Sequence, residues 1–240
     1  MKKLILTTAV LGLSAGAALA DSHSVVRMGT EGAYAPWNFL DDDGEVAGFE
    51  RELGDELCAR AELTCEWVTN EWDSIIPNLV SGNYDTIIAG MSITEAREEV
   101  IDFSINYTDP DPSAYLARTE EADIKEGLVA AQVNTIQAGF IAEMGMGLIE
   151  FPTPEDTVAA VRNGEADAVL ADCAYLKPIA DDDPELVLLE QTEMIGGGVG
   201  MGFRESDAEL RATFNAAIES MKADGSLAAL IDKWGIAAEC

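Results

Sequence analysis

Val80-Ser81-Gly82-Asn83-Tyr84-Asp85-Thr86-Ile87-Ile88-Ala89-Gly90 has a near echo in Val161-Arg162-Asn163-Gly164-Glu165-Ala166-Asp167-Ala168-Val169-Leu170-Ala171-Asp172. Each stretch reads as a helix end, a glycine, an aspartate three residues later, and then a short apolar run of strand length. Gly82 aligns with Gly164 and Asp85 with Asp167, and at the same offset Gly90 aligns with Asp172. Two copies of one strand–helix unit predict two similar lobes. Gly90 and Asp172 then lie just past the carboxyl ends of parallel strands, where open α/β sheets bind ligands. A cleft between the lobes is the natural site.

The surroundings of the first copy support a parallel α/β arrangement. Val25–Gly29 reads as a buried strand and Glu50–Ala61 as a helix with Leu53, Leu57 and Ala61 on one face. Thr64–Val68 reads as a second strand, Trp72–Val80 as a helix, and Asp85–Ala89 as a third strand. Strands alternating with helices belong to that class. Between the copies, Asp109-Pro110-Asp111-Pro112 marks an extended crossing from one lobe to the other. A second crossing is expected near Glu190–Gly198, where three glycines end the pattern, and an amphipathic helix with Leu210, Phe214, Ala217, Ile218 and Met221 on one face follows. The expected organisation is a discontinuous first lobe, 21–108 with 193–240, and a second lobe, 109–192, hinged at two crossing strands.

Ser92-Ile93-Thr94-Glu95-Ala96-Arg97-Glu98-Glu99 carries the chemistry. Thr94 is a good N-cap and the glutamates suit a helix start, but a cation in the first turn opposes the macrodipole. Arg97 therefore calls for an anion. A neighbouring glutamate is one candidate; a ligand carboxylate, gripped by the guanidinium and by backbone N–H groups, is the other. Asp172, taken alone, reads as a turn residue or helix cap. Facing Arg97 across a cleft, it would complete a clamp for a zwitterion. Tyr34 and Trp72 supply flat walls for a ligand side chain or, equally, ordinary packing.

Composition narrows the class. The first 20 residues combine a basic start, an apolar stretch and Ala18-Leu19-Ala20, the form of a secretory signal cleaved after Ala20. Without Lys2 and Lys3, 12 basic residues face 45 acidic ones, a net charge of −33. Such a surface disfavours nucleic acid and anionic membranes, and nothing after the signal reads as membrane-inserting. An acidic bias of this kind keeps a protein soluble in a saline environment. His23 is the one histidine, which argues against a transition-metal site and against histidine-based catalysis, and no cofactor is expected. Four cysteines in an exported chain permit disulfides. Cys58 and Cys65 are close enough for a local staple, and the pairing of Cys173 with Cys240 stays open.

Taken in order, Gly29-Thr30-Glu31, Tyr34-Ala35-Pro36-Trp37, Asp43 to Phe49, Trp72 to Pro77, Asp85 to Gly90, Met91 to Arg97, Asp102-Phe103-Ser104 to Tyr107, Gly198 to Arg204 and Asp224 to Trp234 resemble the bacterial family 3 solute-binding proteins of ABC importers. The resemblance implies a two-lobe periplasmic binding fold of type II that closes on a polar amino acid and presents it to an inner-membrane permease. It implies a monomer and no enzyme. By the same resemblance Arg97 holds the ligand carboxylate with Ser92 and the backbone around Gly90 and Met91. Thr135 and the Ile136 amide touch it from the second lobe, Asp172 holds the α-ammonium, Tyr34 and Trp72 flank the side chain, and Glu31 reaches its far end. Cys58 and Cys65 fall where the lysine/arginine/ornithine- and histidine-binding branch has its disulfide, which points to a basic side chain. Asn134-Thr135-Ile136 departs from the usual Gly-Thr-Thr and loses one hydroxyl, and Glu50 stands where aspartate is common. Two other readings stay open: a periplasmic dehydratase of prephenate or arogenate, and a sensor partner that binds ligand without feeding a transporter.

Overall fold

A computed structural model describes residues 25–236 and 240; the expected signal sequence lies outside the described residues. Thirteen strands, eight α-helices and one 3-10 turn, Trp72–Ser74, are seen among the described residues. The strands are β1 Val26–Thr30, β2 Ala33–Tyr34, β3 Asn38–Leu40, β4 Val46–Ala47, β5 Cys65–Thr69, β6 Thr86–Ile87, β7 Asp102–Phe103, β8 Ser113–Ala117, β9 Leu128–Gln132, β10 Gly147–Phe151, β11 Ala168–Asp172, β12 Val187–Glu193 and β13 Gly202–Phe203. The helices are α1 Phe49–Arg60, α2 Ile75–Val80, α3 Glu95–Glu98, α4 Ile136–Glu143, α5 Pro154–Asn163, α6 Cys173–Asp182, α7 Ala208–Asp224 and α8 Ser226–Trp234.

They build two five-stranded sheets of one design. The first runs β5-β1-β6-β13-β7 and the second β10-β9-β11-β8-β12; a small antiparallel sheet β2-β3-β4 sits beside the first. In each large sheet four strands run in one direction and the fourth in order, β13 or β8, runs antiparallel to its two neighbours. This is the mixed α/β, two-lobe type II architecture. The chain passes from the first sheet to the second between β7 and β8 and returns between β12 and β13. Thr108 and Val199 form a bridge where the two passages lie side by side. β12 continues to Glu193, so the return begins later than the run of sequence from Glu190 suggests.

Period-two burial places helices on both faces of each sheet. On β8, Ala114 and Leu116 join Val158, Val161 and Leu176 of α5 and α6, whereas Tyr115 and Ala117 join Ala138 and Ile141 of α4. On the first sheet, Val26 and Met28 pack with Leu53 and Leu57 of α1 and with Phe214, Ile218 and Leu227 of α7 and α8. Ile75, Leu79 and Ile87 fill the opposite face.

The echo survives in detail. Gly82 (φ 80°) and Gly164 (φ 76°) both adopt the left-handed conformation that ends the preceding helix, where a side chain would be strained. The Asp85 N–H donates to Arg27 O, and its carboxylate accepts the Arg27 N–H at 3.0 Å. Asp167 does the same with Leu128, at 2.8 Å in both directions. Each aspartate thus locks the start of its lobe's first parallel strand.

Both cysteine pairs are joined. Cys58–Cys65 ties the end of α1 to β5 across 7 residues, and Cys173–Cys240 ties the first turn of α6 to the C-terminal residue across 67.

Candidate functional site

The cavity lies between the two sheets, at the carboxyl ends of β1, β6, β9 and β11, and holds about 490 Å³ of space continuous with solvent. From the first sheet's side it is lined by Glu31, Tyr34, Trp72, Ala89, Gly90, Ser92 and Arg97. From the second come Gln132, Thr135, Ile136, Gln137, Pro154, Thr157, Leu170, Ala171 and Asp172. Of the residues singled out from the sequence, nine meet here. Met91 is not among the lining residues: its side chain is fully buried in the core and borders a neighbouring cavity with Trp72, Asp73 and Arg97.

Arg97 lies on α3, which has only four residues and is capped by Thr94, whose hydroxyl accepts the Arg97 N–H at 3.3 Å. The guanidinium donates to Ser92 O at 2.7 Å and Asn134 O at 3.4 Å, and its carbon sits 5.3 Å from the Trp72 ring centroid. No ion pair joins it to Glu95, Glu98 or Glu99 among the described residues, so a neighbouring glutamate is not its counter-charge. Burial lowers its pKa to about 10, against the opposing pull of Asp172. A partly buried guanidinium bonded only to carbonyls retains donors for an anion.

Asp172 ends β11 and begins α6. Its Oδ2 accepts the Tyr34 hydroxyl at 2.9 Å and its Oδ1 accepts Gln137 Nε2 at 2.8 Å. Burial pushes it up to about 6, while those two bonds and the Arg97 charge pull it down. Both its partners are neutral. Tyr34 also accepts the Asp172 N–H at 3.1 Å and stacks on Tyr175 with ring centroids 4.4 Å apart. A tyrosine on β2 thereby plugs into the second lobe.

Glu31 accepts from Gln132 Nε2 at 2.6 Å, a further direct bond between the lobes. Burial, reinforced by the Glu50 charge, pushes Glu31 up to about 7 although the Gln132 bond opposes the rise. Glu50 is itself wholly buried and accepts from Asn38, Tyr107 and the Gly90 N–H, anchoring the strand end to the crossing segment. Thr135 differs from the expectation drawn from the resemblance. Its hydroxyl caps α4, accepting from Ala138 N at 3.2 Å and donating to Gln132 O at 2.7 Å. The N–H groups of Ile136 and Gln137, in the first turn of α4, have no intrahelical acceptor and suit an anion.

Sequence reasoning missed Gln132, Gln137 and Thr157. The first ends β9 and the second lies in the helix turn that follows; the strand-end rule applied to the second lobe's first strand would have drawn attention to both. Among the described residues no group of His, Cys, Asp and Glu side chains could hold a metal ion, and no helix is long and apolar enough to cross a membrane.

The pattern of the bacterial extracellular solute-binding proteins, family 3, matches residues 26–237. An L-arginine-binding protein of Pseudomonas aeruginosa is 31% identical over 258 residues, covering 98% of this chain and 96% of its own. A periplasmic His/Glu/Gln/Arg/opine family-binding protein from Silicibacter pomeroyi, solved in complex with lysine, is 66% identical with a TM-score of 0.86, and the match covers 88% of this chain and 96% of that one. An ancestral amino-acid-binding protein, a precursor of cyclohexadienyl dehydratase, is 28% identical with a TM-score of 0.78, over 88% and 94% of the two chains.

Proposed function

The chain belongs to the bacterial extracellular solute-binding proteins, family 3, and from that premise we propose that it captures an α-amino acid with a basic side chain as the periplasmic substrate-binding component of an ABC importer. One observation carries the reading. Arg97 and Asp172 stand partly buried at the two sides of one cavity, opposite in charge, and each is bonded only to neutral groups. Buried charges without a partner are costly, and a zwitterion supplies both missing counter-charges at once.

In this reading the ligand carboxylate meets Arg97 and the amides of Ile136 and Gln137, and the α-ammonium meets Asp172. The side chain runs along Trp72 towards Glu31, where a cationic end would hold Glu31 ionised below its present value of about 7. Lobes 21–108 with 193–240 and 109–192 would swing about the two crossings, and the Tyr34–Asp172 and Glu31–Gln132 bonds would hold the closed state. The mature protein would be a monomer released by cleavage after Ala20, and its closed form would dock on the permease. We assign it binding and no catalysis. A dehydratase reading draws on the partly buried Glu31, which at about 7 suits a general acid, and on the precursor relationship of one structural relative.

The test is a thermal-shift screen of ligand-stripped protein against proteinogenic amino acids, ornithine and opines. A ligand that binds only the folded state raises the melting temperature. Lysine, arginine or ornithine should give the largest rise. A neutral or acidic amino acid in first place would remove Glu31 from the reading, and no response to any zwitterion would remove the clamp. Turnover of prephenate or arogenate would overturn the binding-only assignment.

A further inference from the structure

Asp172 is the N-cap of α6, yet its carboxylate makes no bond to that helix. An N-cap aspartate ordinarily accepts the N–H of the second or third helical residue. Here both oxygens are engaged elsewhere, with Tyr34 and Gln137. The first crossing segment provides the acceptors instead. Ala174, second in the helix, donates its N–H to Asp111 Oδ2 at 3.3 Å, and Cys173 N–H donates to Pro112 O at 2.9 Å.

We propose that Asp111 is a positioning residue for ligand binding: it caps α6 in place of Asp172 and so leaves the Asp172 carboxylate turned into the cavity. The proposal rests on Asp172 being the acceptor for the ligand's α-ammonium. A helix start with an unmet N–H attracts the nearest carboxylate. With Asp111 gone, that carboxylate is Asp172, one torsion away from capping its own helix and leaving the site. Asp111 also belongs to the segment that joins the two sheets, so the cap links the crossing to the binding residue.

The two carboxylates feel one another. Burial and the Asp172 charge push Asp111 up to about 7, against the bond from Ala174. Asp109 and Asp232 border the same groove as Asp111, and on the cavity side Asp172 faces Tyr34 and Arg97. Replacing Asp111 by asparagine keeps an acceptor for Ala174 and removes the like charge; alanine removes both.

Calorimetric titration at pH 8 with lysine, and with 6-aminohexanoate as lysine lacking the α-ammonium, tests the idea. Asp111→Ala should weaken lysine by about tenfold, the equivalent of one lost cap, and leave 6-aminohexanoate almost unchanged. Asp111→Asn should stay close to the wild type. Wild-type lysine affinity in Asp111→Ala, or equal loss for both ligands, would overturn the proposal. The pair of variants gives an independent decision that needs no analogue. Asparagine keeps an acceptor for the Ala174 N–H and alanine does not, so lysine affinity that falls as far in Asp111→Asn as in Asp111→Ala would overturn the proposal too. Lysine failing to bind the wild type would instead overturn the proposed function, so the two failures are told apart by the wild-type titration.

Discussion

The two lobes repeat one scaffold and put opposite chemistry on it. In both, a left-handed glycine ends a helix and an aspartate locks the neighbouring strand; a parallel strand then ends at the cavity. In the first lobe the chain past that end reaches Gly90, whose N–H is tied to the buried Glu50, and the charge comes seven residues on, from Arg97. In the second lobe the strand end is itself the charged group, Asp172. The cation therefore sits on a short, separately capped helix, whereas the anion is rigidly continuous with its sheet. Duplicated scaffolding makes the lobes congruent, and divergence at two equivalent positions makes the cleft dipolar.

Breaking either pole is the strongest test of that contrast. Arg97→Ala should cost about 2–5 kcal/mol of ligand binding by calorimetry, as removal of one partner of a buried charge pair does. Asp172→Asn should cost less, about 2 kcal/mol, because an amide oxygen of the same shape can still accept from one of the two donors, Tyr34 or Gln137. Equal losses would mean that the two poles are held alike.

The disulfides sharpen the same comparison in stability. By loop-closure entropy, losing Cys173–Cys240, which spans 67 residues, should cost up to about 4 kcal/mol in denaturant melts, and losing Cys58–Cys65, which spans 7, about 2 kcal/mol. The reverse order would show that the C-terminal tie adds little to the second lobe's α6.

The matched aspartates should differ more modestly. Asp85 also pairs with Arg27 and Arg204, at 2.9 and 3.1 Å, whereas Asp167 serves the Leu128 N–H. Asp85→Ala should therefore cost about 2 kcal/mol and Asp167→Ala about 1 kcal/mol, after allowance for the partial exposure of the arginines.

The last contrast is with pH, and it has two opposite signs. Glu31 and Asp172 have folded-state pKa values raised to about 7 and about 6, so the ligand-free protein binds more protons folded than unfolded. Its melting temperature should rise as pH falls from 8 to 5. The extra stabilisation given by a basic amino acid should shrink over the same range, because the ligand needs both carboxylates ionised. Parallel slopes for the free and liganded protein would remove Glu31 and Asp172 from the site.

How far each part was legible follows from where its cause lies. The strands and helices of the first lobe, the paired Gly82/Gly164 and Asp85/Asp167 positions, and the placing of Arg97 on a Thr94-capped turn are set by local spacing and backbone preference, which sequence records. Gln132 and Gln137 were not legible, because a neutral amide has no periodic or charge signature and matters only once another lobe supplies Glu31 or Asp172. Met91 was drawn in by its neighbours in the motif, but alternation along the chain turns it into the core while Ser92 faces the cavity.

By itself the sequence determined two α/β units, a secretion-type start, an acidic exterior and one arginine in a helix turn that had to find an anion. Only the tertiary structure decided which anion that is not. It also paired Cys173 with Cys240, stacked Tyr34 on Tyr175, and moved the capping of α6 from Asp172 to Asp111. The physical reason is common to all of these: each depends on groups from distant segments arriving at one depth of burial. There the loss of water, rather than any local preference, selects their partners.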